Sequence, residues 1–332
     1  RGRNTEMIVL GLSFGRKNGN CDIVVKEALL GAKSLGAEVR FINTSNLRID
    51  RCTGCGACDK RMEKGGPCRC VIKDDFPFVE HEILEADALI VAAPVYVLGP
   101  VGQYKNLCDR MGPSHDRAFM TKENERRKAL GMKPLDERLF KDRFVGLISV
   151  GGARTENWTS FGLAGMHLLT FSSQMTVVDQ LNLYGMGDRV NPAFHPDLMA
   201  RVYQMGKNVT SVIGTPRLEA PFFGEDKGIC PLCHCNLLTV KGTTDVECPI
   251  CGIHGTLKVE GNKVSVDFPE SQFERARLRY GGLEDHCNEI NSMMEIAIAK
   301  MKQDGDKLPE LLAHQKEIVP LDKSKFVEDT DN

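Results

Sequence analysis

Two groups of cysteines carry the plainest chemistry in this chain. The first lies in R-C-T-G-C-G-A-C-D-K-R-M-E-K-G-G-P-C-R-C-V-I-K-D-D, residues 51–75, which holds Cys52, Cys55, Cys58, Cys68 and Cys70. Two consecutive C-x-x-C steps followed by a more distant cysteine suit an iron–sulfur cluster, which needs four converging thiolates. The second group is Cys230-Pro-Leu-Cys233 and Cys248-Pro-Ile-Cys251-Gly252, two knuckles with 14 residues between them. Four thiolates at that spacing predict a tetrahedral site for Zn or Fe. The second knuckle carries a glycine after its last cysteine, so that a backbone N–H can reach a sulfur. The first knuckle has His234 in that place and an additional thiol at Cys235. Few aromatic residues surround the module, which favours zinc in a structural role; iron would make it a further redox centre.

Composition narrows the classes. The chain has 332 residues and a net charge of −2, so there is no basic footprint for nucleic acid. No apolar run reaches membrane-spanning length, and Arg1-Gly2-Arg3-Asn4 does not open a signal peptide. Nine of the 13 cysteines fall in the two clusters, which in a long chain without an export signal means metal rather than disulfides. Thiolate clusters imply a reducing cytoplasm, and an exposed iron–sulfur cluster would suit an anaerobic host. Cys21, Cys108 and Cys287 stand alone and read as small buried hydrophobes.

Three loops could receive an organic cofactor. Ser13-Phe-Gly-Arg16-Lys-Asn18-Gly19-Asn20 lies between a buried apolar run, Met7 to Leu12, and a periodic helix. Such a turn aims N–H groups and a helix N-terminus at an anion. It has neither the G-x-G-x-x-G fingerprint nor the P-loop lysine, so a single phosphate, as in FMN, fits best. The same residues also read as an ordinary turn with a capping asparagine. Pro94-Val95-Tyr96 follows a third apolar run and could offer backbone donors and a ring face to a flat heterocycle. Gly151-Gly152-Ala153-Arg154 follows a fourth. Tyr96, His115 and Arg154 are candidates for proton or substrate work, although His115, in a polar segment, reads more simply as a solvated histidine.

The elements that must position these loops alternate. Strands are expected at 7–12, 37–43, 88–93, 144–150 and 175–181. Helices follow: one with Ile23, Val24, Ala28, Leu29 and Leu35 inward and Gly36 as its stop, then others over 74–85, 102–111, 161–171 and 195–213. Five strands alternating with helices predict an α/β, doubly wound parallel sheet. The predicted domains are 1–215, containing the cysteine loop 51–75 and a charged insertion 112–142; the ribbon module 216–270; and a C-terminal helical segment with an acidic tail, 271–332. The insertion reads as a lid, a partly helical excursion or an oligomer arm. Ile290, Met293, Met294, Ala297, Ile298 and Met301 fall at helical spacing and are expected to dock as core.

Several pieces occur together in order: G-L-S-F-G-R-K-N-G-N, C-T-G-C-G-A-C, C-V-I-K-D-D, A-A-P-V-Y, Y-K-N-L-C-D-R and S-V-G-G-A-R. Over residues 6–213 the chain resembles the iron–sulfur flavoproteins, within the NADPH-dependent FMN reductase group of flavodoxin-like proteins. The cysteine knuckles near 230–251 resemble a rubredoxin-like or zinc-ribbon module. The first resemblance implies FMN held by Ser13, Arg16, Asn18, Gly19 and Asn20, by Pro94, Val95, Tyr96 and Val97, and by Gly151, Gly152 and Arg154. It implies a [4Fe–4S] cluster on Cys52, Cys55, Cys58 and Cys70, with Cys70 preferred because V-I-K-D-D follows it and Cys68 as the competitor. It implies electron exchange between ferredoxin or NAD(P)H and an acceptor, or reduction of a specific organic molecule, in a homodimer or homotetramer. A scaffold holding only zinc is the non-enzymatic alternative. Two departures stand out: Phe14-Gly15 replaces the family's Ser-Pro, and the step from Cys58 to the fourth cysteine is long.

Overall fold

The computed structural model describes residues 7–187, 189–225, 228–322 and 324. In chain order the elements that matter are β1 (Ile8–Ser13), α1 (Asn20–Lys33), β2 (Glu38–Asn43), α2 (Ala57–Glu63), α3 (Phe76–Glu85), β3 (Ala88–Tyr96), β4 (Gly99–Pro100), α4 (Gly102–His115), α5 (Arg117–Ala129), β5 (Phe144–Val150), α6 (Gly162–Met166), β6 (Thr176–Leu183) and α7 (Pro196–Ser211). Then come β7 (Thr239–Val240), β8 (Asp245–Glu247), β9 (His254–Glu260), β10 (Lys263–Asp267) and α8 (Tyr280–Asp304).

Five strands run parallel in the order β2-β1-β3-β5-β6. The sixth, β4, pairs antiparallel with the end of β3. This is the flavodoxin-like doubly wound sheet. Successive side chains of a strand face opposite ways, and both faces here are covered. Leu10, Leu12, Leu89 and Leu147 pack with Phe76, Ile83, Tyr104 and Leu107 from α3 and α4. Val9, Ile90 and Ile148 pack with Val24 and Ala28 of α1 and Val202 and Met205 of α7. Double-sided burial is why β1, β3 and β5 read as unbroken apolar runs.

Several boundaries differ from the sequence expectation. β3 continues through Pro94 to Tyr96, because its ladder with β1 ends at Ala92 and Pro94 sits in the terminal pair with Val150. Leu35 is exposed, since α1 has already stopped at Lys33. The helix expected over 161–171 is regular only at Gly162–Met166, with a 3-10 turn after it.

The insertion 112–142 is helical and grips the cysteine loop. Arg127 of α5 is buried; it donates to Met62 O (3.1 Å), Gly66 O (2.6 Å) and Glu123 Oε1 (2.6 Å), tying down the end of α2. The segment after α7 lies along the sheet edge, where Phe223 N–H donates to Val178 O (2.7 Å). Asp226 and Lys227 of the expected linker lie outside the described residues.

β7 to β10 form a separate antiparallel sheet in the order β10-β9-β8-β7. It packs on the main domain through Ala164, which joins the ribbon core. Gln180 Nε2 also donates to His234 O (3.1 Å) and takes a bond from His167 Nε2 through Oε1 (2.9 Å). By compactness the chain divides after Asp285, into one unit ending there and a second from His286. In the second unit Met293, Met294, Ile298 and Met301 are about half exposed or more, Met293 reaching 61 %. These residues are therefore not core: a helical apolar period specifies a face but not its partner. Of the acidic tail expected from Val319, residues 323 and 325–332 lie outside the described residues.

Candidate flavin and metal sites

The carboxyl ends of β1, β3, β5 and β6 make one rim. Strand order reverses between β1 and β3, which is where flavodoxin-like sheets take their ligand. The loop after β1 is organised by a residue that the sequence did not single out. Asp22, buried in the first turn of α1, accepts from Ser13 Oγ (2.5 Å), the Asn18 N–H (2.7 Å) and Asn43 Nδ2 (2.6 Å). Ser13 is therefore engaged beneath the loop rather than presented at its surface. Asn18 takes a left-handed conformation (φ 58°), and the Gly19 N–H closes the turn on Arg16 O (2.9 Å). Asn20 Nδ2 reaches across to Met186 O (3.1 Å), joining this loop to the one after β6. Arg16 is exposed. Gly19 caps α1 without a side-chain cap hydrogen bond.

On β3, Pro94 is buried, Val95 half-buried and Tyr96 exposed. Val97 and Leu98 turn the chain at φ 49° and 71°. A β-branched residue there is a true outlier, and Val97 is 98 % exposed, so packing does not repay the strain locally. The Phe161 N–H donates to Leu98 O (3.0 Å), which sets exposed Phe161 and the nearby exposed Trp158 beside this turn. Gly151 is buried, and a Cβ there would stand 2.4 Å from Thr159 Cγ2. Gly152 and Arg154 are exposed. The loop after β6 locks onto this one: the Gly185 N–H donates to Ala153 O (2.7 Å) and the Met186 N–H to Gly151 O (2.9 Å).

His115 is not at the rim and is not solvated. It is 2 % exposed at the far end of α4, with Nε2 3.4 Å from Glu80 Oε1. Burial is the main reason that its pKa drops to about 4. The sequence expectation failed because His115 is packed at the end of α4 against Glu80 of α3.

The cysteine loop leaves the carboxyl end of β2 beside the phosphate-sized loop, with Thr44 Oγ1 donating to Ser13 O (3.2 Å). Asp74 and Asp75 stitch its two ends together. The Arg48 N–H donates to Asp75 (2.7 Å), the Asp50 N–H donates to Asp74 (2.8 Å), and Arg110 forms a buried ion pair with Asp74. Burial alone would raise the Asp74 carboxyl, but bonds from Arg110 and from the Asp50 and Phe76 N–H groups hold it below the usual range.

Backbone donors face two of the thiols. The Gly54 N–H lies 3.5 Å from Cys52 Sγ. The Ala57 N–H, then the Thr53 side chain, lowers the exposed Cys55 thiol. Cys58 and Cys68 share an apolar nest with Met62, Leu84 and Met120. Burial, then the charges of Cys58, Asp59 and Glu80, pushes Cys68 up to about 12. Cys70 packs on the main core, and its charge acts on Arg110.

In the ribbon the four sulfurs of Cys230, Cys233, Cys248 and Cys251 are buried and lie within 4.8 Å of one another. Cys230 and Cys251 are 3.1 Å apart, and Cys233 and Cys248 3.5 Å. A Zn–S bond of about 2.3 Å implies tetrahedral S···S edges of roughly 3.8 Å, so this set fits a single ion. His234 adopts φ 58° where the second knuckle has Gly252 at 73°, and its ring stacks 3.5 Å from Phe222. Cys235 is buried beside the set, and its sulfur accepts from the Leu237 N–H (3.4 Å).

The doubly wound sheet, with the α1 N-terminus at its β1/β3 switch point, is flavodoxin-like, and the family match that follows makes the chain a flavin-dependent oxidoreductase. Residues 7–182 match the NADPH-dependent FMN reductase family, to which the chain belongs. Among curated proteins it is 29 % identical over 311 residues to the flavone synthase cfoJ of Aspergillus candidus, covering 89 % of this chain and 92 % of that one. It is 39 % identical over 102 residues to an iron–sulfur flavoprotein of Archaeoglobus fulgidus, covering 31 % of this chain and 44 % of that one. The solved structure of a flavone reductase superposes with a TM-score of 0.81 at 28 % identity, over 95 % of this chain and 99 % of the other. Among the described residues, no helix is long and apolar enough to cross a membrane.

Proposed function

We propose that this enzyme exchanges a hydride between FMN and a planar conjugated molecule of the flavone type, and draws electrons through a [4Fe–4S] cluster held by Cys52, Cys55, Cys58 and Cys70. The observation that carries the reading is the rim itself, where Tyr96, Val97, Trp158 and Phe161 turn apolar surface to solvent beside an uncapped helix N-terminus. Likeness to a flavone synthase and a flavone reductase over nearly the whole chain, ribbon included, supports the substrate class.

FMN takes two electrons as hydride and can release them singly, while a [4Fe–4S] centre carries one at a time. The chain's own residues supply the rest. Asp22 shapes the first loop, and the α1 first-turn N–H groups, with Arg16 in the same loop, would meet a phosphate. The 94–98 turn and the 155–161 loop supply apolar walls that exclude water from the reacting face. Tyr96 and Arg154, both exposed at the rim, are the side chains placed to pass or steady a proton. The donors aimed at Cys52, Cys55 and Cys70 fit an anionic cluster. The ribbon's four thiolates fit zinc or iron and, at this module size, hold it folded.

The test is anaerobic purification, analysis of iron and acid-labile sulfide, and turnover of flavones with NADH, NADPH or reduced ferredoxin. Flavin bands with an iron–sulfur shoulder and a two-hydrogen mass change in the flavone are expected. A colourless protein containing only zinc would overturn the redox reading. Turnover of generic acceptors alone would overturn the substrate class.

A further inference from the structure

We propose that Arg110 is the positioning residue of the cysteine-loop cluster: it selects Cys70 as the fourth ligand and sets the cluster's reduction potential. The inference rests on the cluster reading above. Arg110 projects from α4 with its side chain 0 % exposed. Its Nη1 serves Asp74 and lies 3.3 Å from Asp50 O, and the guanidinium lies 4.2 Å over the Phe76 ring. Nε and Nη2 have no hydrogen-bond partner although both are buried. A guanidinium remains charged and presents its donors in a rigid fork. A buried fork with two empty prongs is a site built for an anion that the protein chain alone does not supply. Of the loop's cysteines, Cys70 is the one whose charge and side chain act on this guanidinium.

The two candidate fourth ligands therefore sit in opposite surroundings. Cys68 is enclosed by Met62, Leu84 and Met120, and the nearby Asp59 and Glu80 charges outweigh that of Arg127. Cys70 acts on a fixed cation whose partner Asp74 also ties the loop entrance at Asp50. Hydrogen bonds and positive charge at the sulfurs stabilise the more negative, reduced cluster and raise its potential. Asp74 thus aims Arg110, and Arg110 aims at Cys70.

The test uses the full chain, purified anaerobically, with wild type, Arg110→Lys, Arg110→Met, Cys68→Ser and Cys70→Ser compared. Iron and sulfide per chain are measured, and the cluster potential is read by electron paramagnetic resonance during a redox titration. Cys70→Ser should lose cluster iron and Cys68→Ser should keep it. The potential should fall from wild type to Arg110→Lys and further in Arg110→Met, with FMN content unchanged. If Arg110→Met does not fold, Arg110→Lys decides, since it keeps the charge and loses the fork. An Arg110→Lys potential equal to wild type, or iron loss in Cys68→Ser instead, would overturn the assignment of Arg110 alone. Wild-type protein with no iron or sulfide beyond the ribbon site would overturn the cluster reading and this inference together.

Discussion

Gly151→Ala is the perturbation whose size the structure sets most directly. The added Cβ would sit 2.4 Å from Thr159 Cγ2 and 3.4 Å from Leu183 O. Retreat is blocked, because the Gly151 N–H donates to Leu183 O (2.8 Å) and the Gly151 carbonyl accepts from the Met186 N–H (2.9 Å). Overpacking of this kind costs about 1–3 kcal/mol. If binding FMN requires the native loop, the same energy weakens it by about 5- to 140-fold, at roughly 1.4 kcal/mol per decade. Thr159→Ser removes the clashing methyl and keeps the hydroxyl, which donates to Glu156 O (3.2 Å). The double variant should recover most of the loss, with a coupling energy of about 1 kcal/mol or more. Chemical denaturation of the FMN-saturated protein and flavin-fluorescence titration measure the two quantities. Equal destabilisation by Gly151→Ala in both backgrounds would refute the clash, and unchanged flavin affinity would remove this loop from the flavin site.

Other perturbations test other parts. Glu80 is buried, and burial, against the opposing charges of Arg69, Arg110 and Arg138, raises its pKa from 4.5 to about 7. Because the folded state holds the proton more tightly, its contribution is present below pH 4.5 and is lost as pH rises through about 7; the loss is about 3 kcal/mol. Glu80→Gln should therefore stabilise the protein above pH 7 and not at pH 4.5, and a wild-type-minus-variant difference that ignores pH would contradict this. Val97→Gly should stabilise by about 1 kcal/mol by relieving the left-handed strain, since no packing is lost; a lower melting temperature would show that the turn is not strained. Cys248→Ser should release the ribbon metal and unfold β7–β10, as read by metal content and hydrogen exchange; unchanged metal content would disprove the four-thiolate site.

Much of the scaffold could be read from residues alone. β5 was placed at 144–150 to the residue, because a strand buried on both faces must be apolar throughout and stops where glycines begin. The ribbon set was equally plain, since two C-x-x-C knuckles bring their own thiols together locally. Cys21, Cys108 and Cys287 are buried as expected of lone thiols.

What the chain order could not convey is pairing at a distance. An aspartate in the first turn of a helix reads as a favourable dipole charge, yet Asp22 folds the rim loop by gathering donors from Ser13, Asn18 and Asn43. A histidine in a polar insertion reads as solvated, yet His115 is buried, and α5 carries Arg127 inward to the carbonyls of the cysteine loop. The sequence by itself determined which residue types, at which spacing, can bind metal, and which runs must be strands, because those depend on neighbours along the chain. Only the tertiary structure decided that Arg110 is buried against Asp74 and Phe76 while Cys68 sits among methionines and leucine, because a buried charge is fixed by what the fold packs around it.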